Sequence, residues 1–196
     1  QDYYVSSNNF SAYKLIESWP KWPDKWVNIY GPKGSGKTHL ANILKKKIDL
    51  IKILDAKNID DEAVSRFKKL DCLIIENYEQ NIDEKLFYSV LNHLKQINAY
   101  VVVNSYYSMK NMKFELEDLK SRTKNFLLQK IEKPDDDLMF ALILKNLSDR
   151  QISIDKKLID FIIKRIDRSY DKISNFIYKL DELSLKKKKS IDFKLI

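Results

Sequence analysis

The chain has 196 residues, 44% of them hydrophobic and 33% charged, with a formal net charge of +8 and an isoelectric point near 9.3. This length and apolar content supply the core of one domain, or of a domain with a small appendage, and exclude a disordered chain. The lone cysteine, Cys72, excludes an internal disulfide, and no apolar run approaches a membrane span or a signal peptide, so a cytoplasmic setting is expected.

Phe10 to Trp19 carries a helical pattern, with Ser7, Asn8 or Asn9 as its cap and Pro20 and Pro23 as its stop. Trp26 to Tyr30 is aromatic and β-branched, which predicts a central strand. All three glycines then fall in Gly31-Pro32-Lys33-Gly34-Ser35-Gly36-Lys37-Thr38, which fits the phosphate-binding pattern G-x-x-x-x-G-K-[ST]. Glycine admits positive φ, so such a loop turns its N–H groups inward around phosphate oxygens. The residues from Thr38 to Lys47, opening on His39, repeat apolar positions at helical spacing and end on lysines. A strand before the loop and a helix N-terminus after it are the surroundings that a phosphate site needs. The competing reading is a glycine turn without a ligand.

Further on, Leu50 to Leu54 is a second apolar run, Asp61 to Leu70 a short helix and Cys72 to Glu76 a third strand. Asp83 to Ile97 is a longer helix, Tyr100 to Val103 a fourth strand finishing at Asn104-Ser105, Leu116 to Arg122 a helical turn or two, and Phe126 to Ile131 a fifth strand. Strands alternating with helices predict an α/β fold with a five-stranded parallel sheet, ligands binding at the carboxyl ends of the strands. From Pro134 the pattern is helical only: Asp135 to Leu147, Asp155 to Ile166 and Tyr170 to Leu185. The expected division is therefore a nucleotide-binding subdomain over 1–133 and a small helical subdomain over 134–196.

Within this frame Lys37 is expected to reach the β and γ phosphates, and Thr38 to ligand Mg²⁺. Glu76, closing a strand, is the acid that holds the same ion. Its neighbour Asn77 stands where a second carboxylate would deprotonate the attacking water, and an amide cannot accept that proton, so tight binding with slow hydrolysis is expected. Glu79 is the nearby substitute. Asn104 ends the fourth strand, either as a sensor of the γ-phosphate or as the start of a turn. Arginine is scarce in this lysine-rich chain, so Arg122 points to a wanted fork geometry, with a salt bridge to a local acid as its competitor. His39 and His93 lack metal-spaced partners, and the dispersed lysines, including the run 186–189, read mainly as a solvated surface.

In these residues the chain resembles the AAA+ ATPases of the DnaA type, and within them the Hda group of DnaA-homologous regulators. The resemblance is carried by Tyr4-Val5-Ser6-Ser7-Asn8, by Trp19-Pro20-Lys21-Trp22-Pro23, by Gly31 to Leu40 as Walker A and by Glu76-Asn77 as Walker B. It continues through Asn104-Ser105 as sensor 1, Leu119-Lys120-Ser121-Arg122 as the arginine-finger box, and Lys164 to Arg168 leading into the sensor 2 helix. It implies an AAA+ core with a helical lid and ADP or ATP with Mg²⁺ bound between them, near Tyr4 and Asn8 and along the loop from Gly31 to His39. It further implies that Arg122 acts in trans on ATP held by DnaA, in a complex with the DNA-loaded sliding clamp, so that contact with DNA is mainly indirect and a homodimer is a further option. The sensor 2 arginine position falls on Asp171, leaving Arg168, Lys172 or neither to contact phosphate. The clamp-binding peptide of the group is absent from Gln1 to Val5 and is expected upstream. The alternative is a DNA-stimulated AAA+ ATPase, a helicase loader or DnaA-like replication factor.

Overall fold

The computed structural model describes residues 3–60, 62, 67–79, 81–152 and 154–187. Residues 61 and 63–66 of the helix expected over 61–70, and the chain from 188 on with the end of the lysine run, lie outside the described residues, and Phe67 to Leu70 is not helical. The chain divides into two compact units. One comprises 9–32 and 36–132, and the other the described residues of 1–8, 33–35 and 133–196.

The first unit is an α/β layer structure. Its strands are β1 (Trp26–Tyr30), β2 (Ile51–Asp55), β3 (Cys72–Tyr78), β4 (Tyr100–Ser105) and β5 (Leu127–Lys130). They form one parallel sheet in the order β2-β3-β4-β1-β5. Its helices are α1 (Phe10–Glu17), α2 (Lys37–Lys45), α3 (Glu84–Gln96) and α4 (Glu117–Thr123). Asn9 occupies the N-cap of α1 without a capping side-chain bond, whereas Asp83 caps α3 fully, accepting from the N–H groups of Lys85 at 2.8 Å and Leu86 at 3.0 Å.

Side chains alternate across a strand, so the register assigns each residue to a face. Leu73 and Ile75 pair with Val101 and Val103, and these residues form a core with Phe87, Val90, Leu91 and Leu94 of α3. Trp26 and Asn28 of β1 lie on this same face by their pairing with Val101 and Val103. The opposite face carries Val27, Ile29, Ile74 and Val102, all fully buried, and at its carboxyl end Asp55, Glu76 and Asn104. Burying each large apolar side chain in these layers stabilises by about 1.5–3 kcal/mol before entropy is counted.

Two strand ends depart from the sequence pattern. β2 runs on to Asp55, and β3 passes Glu76 to finish at Tyr78, because Asn77 adopts a left-handed conformation (φ 56°) in a bulge that lets buried Tyr78 pair with Ser105. Asparagine tolerates that conformation better than most residues.

The second unit holds α5 (Asp136–Ser148), α6 (Lys156–Ile163) and α7 (Tyr170–Lys187). Asp135 and Asp155 cap α5 and α6 by accepting from Leu138 N–H at 2.9 Å and Lys157 N–H at 3.0 Å. Met139, Ile143, Ile159, Ile162, Ile173 and Ile177 form its core, on which Tyr4 packs, and α6 stops at Ile163 rather than Ile166. No helix among the described residues is long and apolar enough to cross a membrane.

Candidate nucleotide-binding site

β1 ends at Tyr30 and the chain turns at once into the glycine loop, pinned at its start by the N–H of Gly31 donating to the Ser105 carbonyl at 3.1 Å. Gly34 (φ 72°) and Gly36 (φ 98°) hold left-handed conformations, and Gly36 is the N-cap of α2. A side chain would strain both positions. Gly36 thus opens α2 directly after the loop, and a helix N-terminus in that place is one that can receive phosphate.

Lys37, first in α2, bends back over the loop. Its ammonium donates to the carbonyls of Gly31 at 2.7 Å and Pro32 at 2.8 Å. Burial lowers the Lys37 pKa, with the Glu76 carboxylate opposing the shift. A partly desolvated cation held only by neutral carbonyls gains most from an anion. Thr38, next in α2, donates its hydroxyl to Glu76 Oε2 at 3.0 Å, and Asn104 donates its amide to Glu76 Oε1 at 2.9 Å. Burial pushes the Glu76 carboxyl up, while these two bonds and the charge of Lys37 pull it back. Thr38, Glu76 and Asn104 are thus hydrogen-bonded in one row, with the Lys37 ammonium close enough to act on Glu76 by its charge.

The row fits a nucleotide polyphosphate with a hard divalent ion. Asn104 is fully buried and its Oδ1 has no hydrogen-bond partner. Buried polar atoms of this kind call for a polar ligand. Thr38 and Glu76 offer oxygen donors, and the described residues contain no group of three or more His, Cys, Asp or Glu able to hold a metal alone. The Thr38 and Glu76 oxygens are of the kind that would hold Mg²⁺, which is bound through one or two protein oxygens and the phosphates themselves.

Other predicted residues stand elsewhere. Asn77 donates its amide to Asp55 Oδ2 at 2.6 Å, and Glu79 lies exposed beyond β3. Arg122, in α4, packs on the sheet face opposite Glu76: its guanidinium lies 4.5 Å from the Tyr88 ring centre and 6.0 Å from that of Trp26. Its Nη2 reaches the Tyr88 hydroxyl at 3.5 Å, Nη1 is buried without a partner, and the ring faces take the place of the local acid that had been the alternative. His39 is half-buried in the first turn of α2, and His93 Nε2 meets the Phe67 carbonyl at 2.9 Å.

In the helical unit Arg168 pairs with Asp136 and donates to the Pro134 carbonyl, so its guanidinium is already committed. Lys172 is exposed on α7. Asn8 donates its amide to the Lys133 carbonyl at 2.6 Å, and Lys145 lies over the Tyr4 ring. The loop tip, Lys33 to Ser35, groups with this unit. The Tyr170 N–H donates to the Gly34 carbonyl at 3.0 Å, and a Cβ on Gly34 would meet the Ser169 Cβ at 2.9 Å and its Oγ at 3.0 Å. Sequence reasoning missed Ser169 and two further residues. The signal for Asn28 was an amide inside the apolar strand Trp26 to Tyr30, and that for Asp55 was an acid directly after the apolar run ending at Leu54.

The family model described as RNA helicase matches residues 27–118. The chromosomal replication initiator protein DnaA of Borrelia turicatae is 29% identical over 92% of this chain and 42% of its own length. The DnaA of Treponema denticola is 26% identical over 98% of this chain and 46% of its own length. The chain therefore spans less than half of the curated relatives it matches. Domain III of the Thermotoga maritima replication initiation protein DnaA superposes with a TM-score of 0.80 at 20% identity, covering 98% of this chain and 91% of that one. A replication initiator DnaA bound to AMPPCP and single-stranded DNA gives 0.75 at 19% identity over 95% of this chain and 66% of that one. A RuvB mutant of Thermotoga maritima gives 0.79 at 13% identity over 98% and 68%. In sequence the chain is similar to DnaA over nearly its whole length, and its five-stranded parallel sheet has the fold of DnaA domain III.

Proposed function

We propose that this chain is an adenine-nucleotide switch of replication initiation that works mainly by contact with DnaA. The observation that carries the reading is the row Thr38-Glu76-Asn104, with the Lys37 charge acting on it, beside an amide, Asn77, where hydrolysis calls for an acid. Such a site holds ADP or ATP with Mg²⁺ and turns over slowly. Arg122 lies on the opposite sheet face from this row, which suits a role toward nucleotide on a second molecule. In the Hda-like reading that molecule is ATP-loaded DnaA. The chain acts in the cytoplasm together with the DNA-loaded sliding clamp, as a monomer or a homodimer, and residues 134–196 form the helical lid subdomain.

A second reading, a DNA-stimulated ATPase that loads helicase or acts as a DnaA-like replication factor, is favoured by the net charge of +8. A DnaA structural neighbour carries AMPPCP and single-stranded DNA, which lends that reading and the adenine nucleotide common support.

Phosphate release from ATP-loaded DnaA, measured with clamp and DNA in the presence and absence of this chain, separates the two. The regulatory reading expects acceleration that Arg122→Ala removes. Rapid DNA-stimulated turnover by the chain alone, with no effect on DnaA, supports the second reading instead.

A further inference from the structure

The start of α7 meets the tip of the glycine loop inside one compact unit, which holds Lys33 to Ser35 together with 133–196. Three consecutive residues make the contact. The Tyr170 N–H donates to the Gly34 carbonyl at 3.0 Å, and the side chains of Ser169 and Asp171 lie against the Gly34 α-carbon: a Cβ there would come 2.9 Å from the Ser169 Cβ and 3.4 Å from Asp171 Oδ2. The place of Asp171 is set by the backbone. Its short side chain leaves a helical turn that is tied to Gly34 through Tyr170 and capped by Ser169, whose Oγ accepts from the Lys172 N–H at 3.2 Å. The Asp171 carboxylate is exposed and, among the described residues, has no hydrogen bond or ion pair. Arg168 is spent on Asp136 and the Pro134 carbonyl, while Lys33 at the loop tip and Lys172 next to Asp171 are exposed and form no ion pair with it.

An uncompensated negative charge is out of place against a loop that takes anions. An acid in the first turn of a helix gains from the helix dipole, but that gain is indifferent to what the loop binds. We propose that Asp171 is the specificity-determining residue that makes this loop keep a nucleoside diphosphate in preference to a triphosphate. The inference rests on the nucleotide reading above and names which nucleotide the site favours. ATP carries one more negative charge than ADP, whether or not Mg²⁺ accompanies each, and repulsion from a fixed carboxylate grows with that charge. With the added charge about 8 Å away and a dielectric close to that of water, the triphosphate is penalised by about threefold in affinity relative to the diphosphate. Because Asp171 is exposed, salt screens the effect. The switch then rests in its ADP-bound form.

The test uses the full chain, unaltered and as Asp171→Asn, Asp171→Lys and Asp171→Glu. Each form is titrated by calorimetry with ADP and with the uncleavable triphosphate AMPPCP, Mg²⁺ present, at low and at high salt, and its thermal melt is recorded alongside. Asp171 is exposed and unbonded, so the isosteric Asp171→Asn keeps a folded variant available. Expected is a preference for the diphosphate that falls by about threefold in Asp171→Asn and by about tenfold in Asp171→Lys, is kept in Asp171→Glu, and shrinks as salt rises. An acid that serves only the helix would change the melt and shift both affinities alike. A ratio of diphosphate to triphosphate affinity that stays the same in Asp171→Asn and Asp171→Lys, or that Asp171→Glu loses as Asp171→Asn does, overturns the assignment and leaves the nucleotide reading standing. An unaltered chain that binds neither compound defeats that reading as well.

Discussion

Asn28 offers the sharpest link between the core and the loop, and Asn28→Ala is the substitution that exposes it. The side chain is fully buried in β1 and makes three hydrogen bonds: its amide donates to the Val103 carbonyl at 2.9 Å and the Ser105 hydroxyl at 2.8 Å, and its Oδ1 accepts from the Met109 N–H at 2.9 Å. Ser105 has a second bond, to the Tyr107 carbonyl, and survives the loss. The N–H of fully buried Met109 does not. An orphaned buried donor costs about 1–3 kcal/mol and a lost neutral bond about 1 kcal/mol, so a destabilisation of about 3 kcal/mol is expected. For a chain of this size that lowers the thermal midpoint by about 6–12 °C. Because the Ser105 carbonyl also receives the Gly31 N–H, nucleotide affinity should fall with it. Thermal melts by circular dichroism with a parallel nucleotide titration measure both. A midpoint within about 2 °C of the unaltered chain, on the same scaling, would refute the view that this amide ties β1, β4 and the start of the glycine loop together.

Other substitutions follow from the same geometry. Gly34→Ala places a Cβ at positive φ and against Ser169, so stability should drop by at least about 1–2 kcal/mol, and adding Ser169→Gly should recover only the steric part. Melts of the single and double variants decide it, and full recovery would contradict the backbone argument. Thr38→Val removes the hydroxyl bonded to Glu76, and the Mg²⁺-dependent gain in ATP affinity should disappear in titrations with and without the ion. Lys37 supplies a pH dependence. Its pKa is lowered in the folded chain, so nucleotide affinity should fall as pH rises through that lowered value, below the usual 10.5. Stability without ligand should move the other way, rising across the same window, because the unfolded chain holds this proton more tightly. Lys37→Arg, always charged, should show neither slope.

The glycine loop and the five strands were legible because they are local signals: left-handed glycines before a helix, and apolar runs of strand length. Glu76 and Asn104 were legible as strand ends. What escaped was set by contacts across the sheet. The bulge at Asn77 depends on the register of β3 against β4, and no spacing in the sequence announces that an amide beside Glu76 will turn toward Asp55 on another strand. Asp55 itself reads as a loop acid until β2 is paired in register with β3. Arg122 was singled out for its scarcity, but its bed of Tyr88 and Trp26 comes from two elements distant in the chain. The approach of Ser169 to Gly34 likewise joins residues that no local pattern connects.

The most direct measurement is a calorimetric titration of the purified chain with ADP and with ATP, each with Mg²⁺, beside the same titrations of Lys37→Ala. Saturable heat at one site per chain, abolished or strongly weakened in Lys37→Ala, is the expected result. Absence of heat with both nucleotides, or equal binding by Lys37→Ala, would contradict a phosphate site built on the glycine loop.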